Sequence, residues 1–353
     1  MKIFQCHICS NPLYFENTRC ESCGSQVGYL SEQHELTSLV KKDNSWDSIP
    51  STGTLYNYCK NHHHNACNWL VPINDKEGFC EACKLNRTIP NLNDPVHLQE
   101  WRNLEKAKHR LLYSMQRFGL PLIPKTQDEE KGLTFDFLSV DGINNPNSGV
   151  KTGHFKGVIT INVIEADSVH REYMRKQMAE RYRTLLGHFR HEIGHYYWER
   201  LILSDSEKLI AFRACFGDET QSYADALQRH YKDGPPLDWA ASYVSKYAAS
   251  HPWEDWAETW AHYLHLIDTL ETAHAFGLSI NPTLEKASAL KMAADFDPYE
   301  ESNFDVILST YLPLTFAVNS LNRSMGQPDL YPFILPPPVI EKLRFVHKLL
   351  KRV

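Results

Sequence analysis

Beyond position 95 the apolar residues recur three and four apart. His97 to Phe118 places Leu98, Trp101, Leu104, Leu111, Leu112, Met115 and Phe118 at near-helical spacing, bounded by Asp94-Pro95 and by Gly119-Leu120-Pro121. That pattern predicts an amphipathic helix. Two β-type runs follow, Leu133 to Val140 and Gly157 to Ile164, separated by the turn-rich DGINNPNSG. From about Val169 to Ile202 the pattern predicts one long, uninterrupted helix. Further helices are predicted near 206–214, 221–231, 237–249 and 252–275, separated by Phe216-Gly217-Asp218 and Gly234-Pro235-Pro236, with Pro252 at a helix N1 position. Two last helices, 304–324 and 338–350, bracket the bend Leu335-Pro336-Pro337-Pro338.

Before position 90 this periodicity is absent. Short apolar patches alternate with cysteines, and Leu36 to Ile49 reads as a connector with a few packed apolar residues. The expected organisation is therefore a small metal-bound β region over 1–90 and a larger domain over 91–353. Its class is α+β, mostly helical with a small sheet.

Composition narrows the function classes. At 353 residues, with 42% hydrophobic and 23% charged positions, the chain can bury a substantial core. A formal charge of -6 leaves no large electrostatic footprint for nucleic acid or an anionic membrane. The opening MKIFQCHICSNPLYF has cysteines and polar residues where a secretory signal needs a continuous apolar segment. No later stretch reads as the roughly 18 apolar residues of a membrane span. The expectation is a cytoplasmic protein with no membrane partner and no nucleic-acid partner.

Eight of the nine cysteines precede position 84, which without an export signal points to metal ligation rather than disulfides. Cys6 and Cys9 lie ahead of Cys20 and Cys23 as two CxxC knuckles, the spacing of a zinc ribbon with one closed site of four thiolates. A core this small needs such a staple. Cys59, Cys67, Cys80 and Cys83 form a second set whose first pair has a longer spacing, and His62, His63 or His64 could replace a thiolate. Four soft sulfurs suit zinc best, and the histidine triplet reads as a solvated loop. Cys215 reads as a small buried apolar residue.

The other chemistry lies in His191-Glu192-Ile193-Gly194-His195. Two histidines four apart point from one helical face, which suits one zinc ion and leaves Glu192 free to act on water. A catalytic zinc needs a third protein ligand and an open position. The segment His251 to His262 offers Glu254 and Glu258 one turn apart. Glu254 is assigned as the ligand and Glu258 as the partner of a ligand histidine's Nδ1 proton, with the reverse assignment open. Flanking Trp253, Trp256 and Trp260 predict burial of that helix.

HEIGH followed by WEDWAETWAHY resembles the gluzincin metallopeptidases. The chain is most similar to the zinc-dependent metallopeptidases of bacteria that carry an N-terminal zinc-ribbon region, through CxxC, CxxC, YCxNxxxxxCNWL, FCxAC, LNRTIPNL, HEIGHYYWERLI, FGD, YADALQRHY, HPWEDWAETWAHYLHLIDTLETA and FGL. The resemblance implies a zincin-like domain that hydrolyses peptide bonds, with one catalytic and two structural zinc ions. By the same resemblance a tyrosine ahead of the glutamate ligand, Tyr247 or else Tyr243, stabilises the oxyanion, and Gly157 to Ile164 is an edge strand that pairs with an extended peptide or protein substrate. A rival reading is a zinc-ribbon module that binds protein or nucleic acid, fused to a non-catalytic zincin-like domain. The intact Glu192 speaks against it, because a structural site needs no general base. Oligomeric state and cleavage specificity are not legible.

Overall fold

The computed structural model describes residues 2–139, 150, 152–177, 184–283 and 288–351, in two compact units, Met1–Met174 and Arg175–Val353. In the first unit, β1 (Phe4–Gln5) and β2 (Pro12–Leu13) form a small hairpin. A five-stranded antiparallel meander follows: β3 (Val27–Leu30), β4 (Glu35–Lys42), β5 (Ser45–Ile49), β6 (Leu55–Tyr58) and β7 (Leu70–Pro72). Leu36 to Ile49 is therefore not a connector. It is the β4–β5 hairpin at the centre of the sheet, with Leu36 and Leu39 buried. Exposed Lys41 and Lys42 and the buried serines Ser38 and Ser48 dilute its apolar alternation enough to hide it.

The short helix α1 (Glu81–Lys84), strand β8 (Asn86–Thr88) and long helix α2 (Pro95–Arg117) come next. Asp94 caps α2, accepting from the backbone N–H of Val96 and His97, and Pro95 occupies the first turn. Strands β9 (Thr134–Leu138), β10 (Gly153–Phe155) and β11 (Val158–Asn162) join β8 in a sheet of order β10-β11-β9-β8. The run Gly157 to Ile164 is accordingly not an edge strand: β11 is antiparallel to β10 on one side and parallel to β9 on the other. Gly157 makes the β10–β11 turn at φ +76°, where a Cβ would lie 2.1 Å from the Gly132 carbonyl oxygen. The predicted turn at 141–149 lies outside the described residues.

Tyr113 on α2 packs on Phe15 (5.4 Å between ring centroids), which meets Tyr29 (4.9 Å), which meets Trp69 (4.8 Å). These aromatics tie α2 to the cysteine-rich sheet, so this compact unit extends well past the compositional boundary near position 90.

After α3 (Ser168–Gln177), the second unit holds α4 (Leu185–Leu201), α5 (Ser206–Phe216), α6 (Tyr223–Asp233), α7 (Pro252–Ala275), the pair β12 (Ser279–Ile280) and β13 (Met292–Ala293), α8 (Phe304–Ser324) and α9 (Pro337–Leu350). The long helix expected from Val169 to Ile202 is interrupted. Thr184 is extended (φ -129°, ψ 156°) and caps α4 through the Gly187 N–H, a stop that apolar spacing does not register. Likewise 237–249 is not a helix but carries 3-10 turns at Trp239–Ala241 and Ala248–Ser250. By length and composition α8 passes for a membrane span, contrary to the sequence reading. Within the unit, however, Tyr311, Pro313 and Leu314 are buried and Asn319 donates to the Tyr331 carbonyl.

The core of this unit is the crossing of α4 with α7. Trp256 Nε1 donates to the Gly194 carbonyl (2.8 Å), and Tyr197 stacks on Trp260 (5.5 Å). A Cβ on Gly194 would lie 3.1 Å from the Trp260 ring and 3.3 Å from the Ala257 Cα, so glycine permits the close approach.

Candidate metal centre

Three clusters of metal-ligating side chains occur among the described residues that carry the sequence motifs. In the first, Cys6 and Cys9 leave the β1–β2 hairpin, and Cys20 and Cys23 the turn before β3. Cys6 Sγ is 3.7 Å from Cys23 Sγ, and Cys9 Sγ is 3.6 Å from Cys20 Sγ. A tetrahedral zinc with Zn–S bonds of about 2.3 Å has S–S edges of about 3.8 Å, so these spacings fit the ion. Burial opposes ionisation of Cys6, but the hydroxyls of Ser25 and Ser38 bring its thiol down to about 5.

In the second, Cys59, Cys67, Cys80 and Cys83 are all buried, with Cys67 Sγ 3.7 Å from Cys80 Sγ. The histidine triplet stays outside this set: His62 stacks on Tyr58 (3.9 Å) and contacts the Cys67 carbonyl through Nδ1, while His63 and His64 are exposed. A buried polar group on α2 that the motifs did not reveal lies beside the sulfurs. His109 Nε2 is 3.3 Å from Cys67 Sγ, its Nδ1 donates to the Glu105 carbonyl (2.6 Å), and Lys108 Nζ donates to Glu105 Oε1 (2.8 Å). These cations face a thiolate cluster that carries excess negative charge even with a divalent ion bound.

The third cluster joins α4 to α7. His191 Nε2 lies 3.2 Å from His195 Nε2 and 2.9 Å from Glu254 Oε2, and His195 Nε2 lies 3.6 Å from the same oxygen. Zinc bonds of about 2.0–2.1 Å give tetrahedral edges of about 3.3–3.4 Å, within this range. His191 Nδ1 donates to Glu258 Oε1 (2.8 Å), which directs the Nε2 lone pair at Glu254. Glu254 Oε2 is buried without a hydrogen-bond partner. Lone pairs converging this closely require protons or a cation between them, and the set of two imidazoles and one carboxylate suits zinc. The protein's own charges show the same strain. Burial disfavours charge on both groups, yet the carboxylates hold His191 well above its ordinary value and the imidazoles hold Glu254 well below its own.

Glu192 is 9% exposed, and burial pushes its carboxyl up against the pull of His191 and His195. Glu258 is fixed in turn by Ser245, whose Oγ donates to Oε2 (2.6 Å) and accepts from the Ala248 N–H (3.0 Å). The Tyr247 ring lies 5.9 Å from that of His191, with its hydroxyl raised far above the usual range by burial. Tyr243 instead packs under Lys342 (4.4 Å). Spacing alone missed Trp253, whose ring lies 4.0 Å from His195, and Tyr223, whose hydroxyl donates to Glu254 Oε1 (2.6 Å). Tyr223 opens the YADALQRHY segment, which gave a resemblance but no role.

Residues 97–349 match the family described as "Putative zinc-binding metallo-peptidase", and residues 3–94 match a zinc-ribbon domain family. Uncharacterized proteins of Mycobacterium bovis and of two strains of Mycobacterium tuberculosis are each 44% identical over 353 residues, covering 100% of this chain and 96% of their own length. No solved structure matches the chain.

Proposed function

Because this chain belongs to the zinc-binding metallopeptidase family, with a zinc-ribbon domain at its N-terminal end, we propose that it hydrolyses peptide bonds at the α4–α7 crossing. The observation that carries the reading is the convergence of His191, His195 and Glu254 with Glu192 on the same helix as the histidines. Zinc held by those three groups would supply Lewis-acid activation of water and of the scissile carbonyl. Glu192 accepts the proton of the attacking water and returns it to the leaving amine, a role favoured by a carboxyl shifted up toward neutrality. Glu258 keeps His191 in the tautomer whose Nε2 faces the centre. Tyr247 donates to the developing oxyanion. The two cysteine clusters hold structural zinc, so the chain carries three ions, and their reduced thiolates suit a cytoplasmic setting.

Glu192→Gln tests the reaction. Against a proteome-derived peptide library the variant should lose about 10²- to 10⁴-fold of the activity while its zinc content stays that of the parent. Equal cleavage by both proteins would overturn the mechanism.

A further inference from the structure

Glu254 has two carboxylate oxygens, and the centre uses them differently. Oε2 faces the histidine Nε2 atoms at 2.9 and 3.6 Å. Oε1 accepts from the Tyr223 hydroxyl at 2.6 Å, a short charge-assisted contact of the kind that holds a carboxylate firmly. We infer that Tyr223 is a positioning residue: it pins Glu254 so that only Oε2 is offered to the metal, which keeps the remaining coordination position free for water. The inference rests on the proposal that Glu254 is a metal ligand.

The surroundings of Tyr223 are built for that task. It is the first residue of α6, whose start is capped by Ser222 through the Asp225 N–H. That start is tied to α7 by His251 Nε2, which lies 3.2 Å from the Gln221 carbonyl oxygen, while His251 Nδ1 accepts from the Trp253 N–H and caps α7. The Tyr223 ring stands edge-on to His251 (5.3 Å) and Trp253 (5.9 Å), so one small cluster orients both the phenol and the helix turn that carries Glu254.

A carboxylate without this restraint can chelate through both oxygens, filling the position that a catalytic zinc must leave open. Tyr223→Phe removes only the hydroxyl and, with the ring 38% exposed, little packing. The experiment uses the full chain. The zinc that belongs to this centre is identified as the ion missing from His191→Ala, and its affinity is measured by chelator competition in the parent and in Tyr223→Phe. The cysteine sites keep zinc while Co²⁺ is loaded into the centre and its visible absorption recorded.

The expected result for Tyr223→Phe is a zinc affinity weaker by about 10- to 100-fold, the usual cost of losing a partner of a metal ligand. The Co²⁺ bands should weaken as coordination rises above four, with an unchanged melting temperature. A merely structural tyrosine would move the melting temperature and leave the Co²⁺ bands alone. Parental affinity together with parental Co²⁺ bands would overturn the positioning role while leaving the centre intact. Full zinc content in His191→Ala would overturn the centre itself, and the inference with it.

Discussion

The cysteine clusters and the histidine–glutamate cluster solve the same problem of converging donors with different numbers of chain ligands. At Cys59, Cys67, Cys80 and Cys83 the chain supplies all four corners, every one buried, with Lys108 and His109 beside them. At His191, His195 and Glu254 it supplies three, and the nearby residues serve those three: Glu258 and Ser245 behind one histidine, Tyr223 behind the glutamate. A closed cage converts metal affinity into folding free energy, whereas an open one keeps a position for chemistry. The difference also shows in what holds each cluster. The cages grow from turns and the short helix α1 beside a small β-sheet, while the open centre sits where two long helices cross around Trp256 and Trp260.

The largest expected effect separates the two directly. Stripping the cysteine-bound zinc, or substituting Cys59→Ser, should unfold the β region, since structural zinc contributes apparent free energies of about 10–16 kcal/mol. A mild chelator that removes only the third ion should leave far-UV circular dichroism unchanged. Zinc stoichiometry followed alongside the spectrum checks both, and simultaneous loss of structure and the third zinc would break the distinction.

Next in size is the scaffold behind the open centre. Lys342 on α9 lies 2.7 Å from Asp255, both side chains buried, and donates to the Ser242 carbonyl at 2.7 Å. Burial pushes the Asp255 carboxyl up to about 7. Lys342→Met should destabilise the protein by about 3–5 kcal/mol by stranding that carboxylate. A raised acid pKa means the folded state favours the proton, so the loss should be smaller at about pH 5 than at about pH 8. Denaturant unfolding of the single variant and of Lys342→Met with Asp255→Asn checks it, the second substitution recovering most of the loss.

Acidification should act more gently. Burial depresses His262 from 6.5 to about 4, so between those values the unfolded chain takes up a proton that the folded one refuses. Stability is therefore full above about pH 6.5 and should fall by about 1–3 kcal/mol on the way to about pH 4. Melting curves across that range should be flatter for His262→Gln. The smallest effect is expected from Gly194→Ala. The gain in helix propensity of about 1 kcal/mol is outweighed by contacts of 3.1 and 3.3 Å with Trp260 and the Ala257 backbone. A net loss of about 1 kcal/mol should appear as a lowered melting temperature.

Much of the architecture was legible in the chain. Helices α2, α7, α8 and α9 follow from apolar periodicity with Asp94, Pro95 and Pro252 as start signals, because those signals are local. The β4–β5 hairpin was hidden by mixed exposure, the break at Thr184 by a cap within an otherwise helical pattern, and the loop over 237–249 by apolar residues that pack without forming a helix. The placement of β11 inside its sheet could not be read, since strand order depends on partners distant in sequence.

By itself, the sequence determined the inventory of donors: two CxxC knuckles, a second cysteine set, two histidines one helical turn apart with a glutamate between them, and two glutamates one turn apart. Such spacings follow from backbone geometry within a single turn or helix. Only the tertiary structure decided how the donors pair. It faced Glu254 Oε2 toward both Nε2 atoms, set Glu258 on Nδ1 of His191, and brought Tyr223 from a different helix onto Glu254 Oε1. The reason is that the angle and depth of the α4–α7 crossing are set by Gly194, Trp256 and Trp260 packing across the interface, and no periodicity along one strand of sequence encodes them.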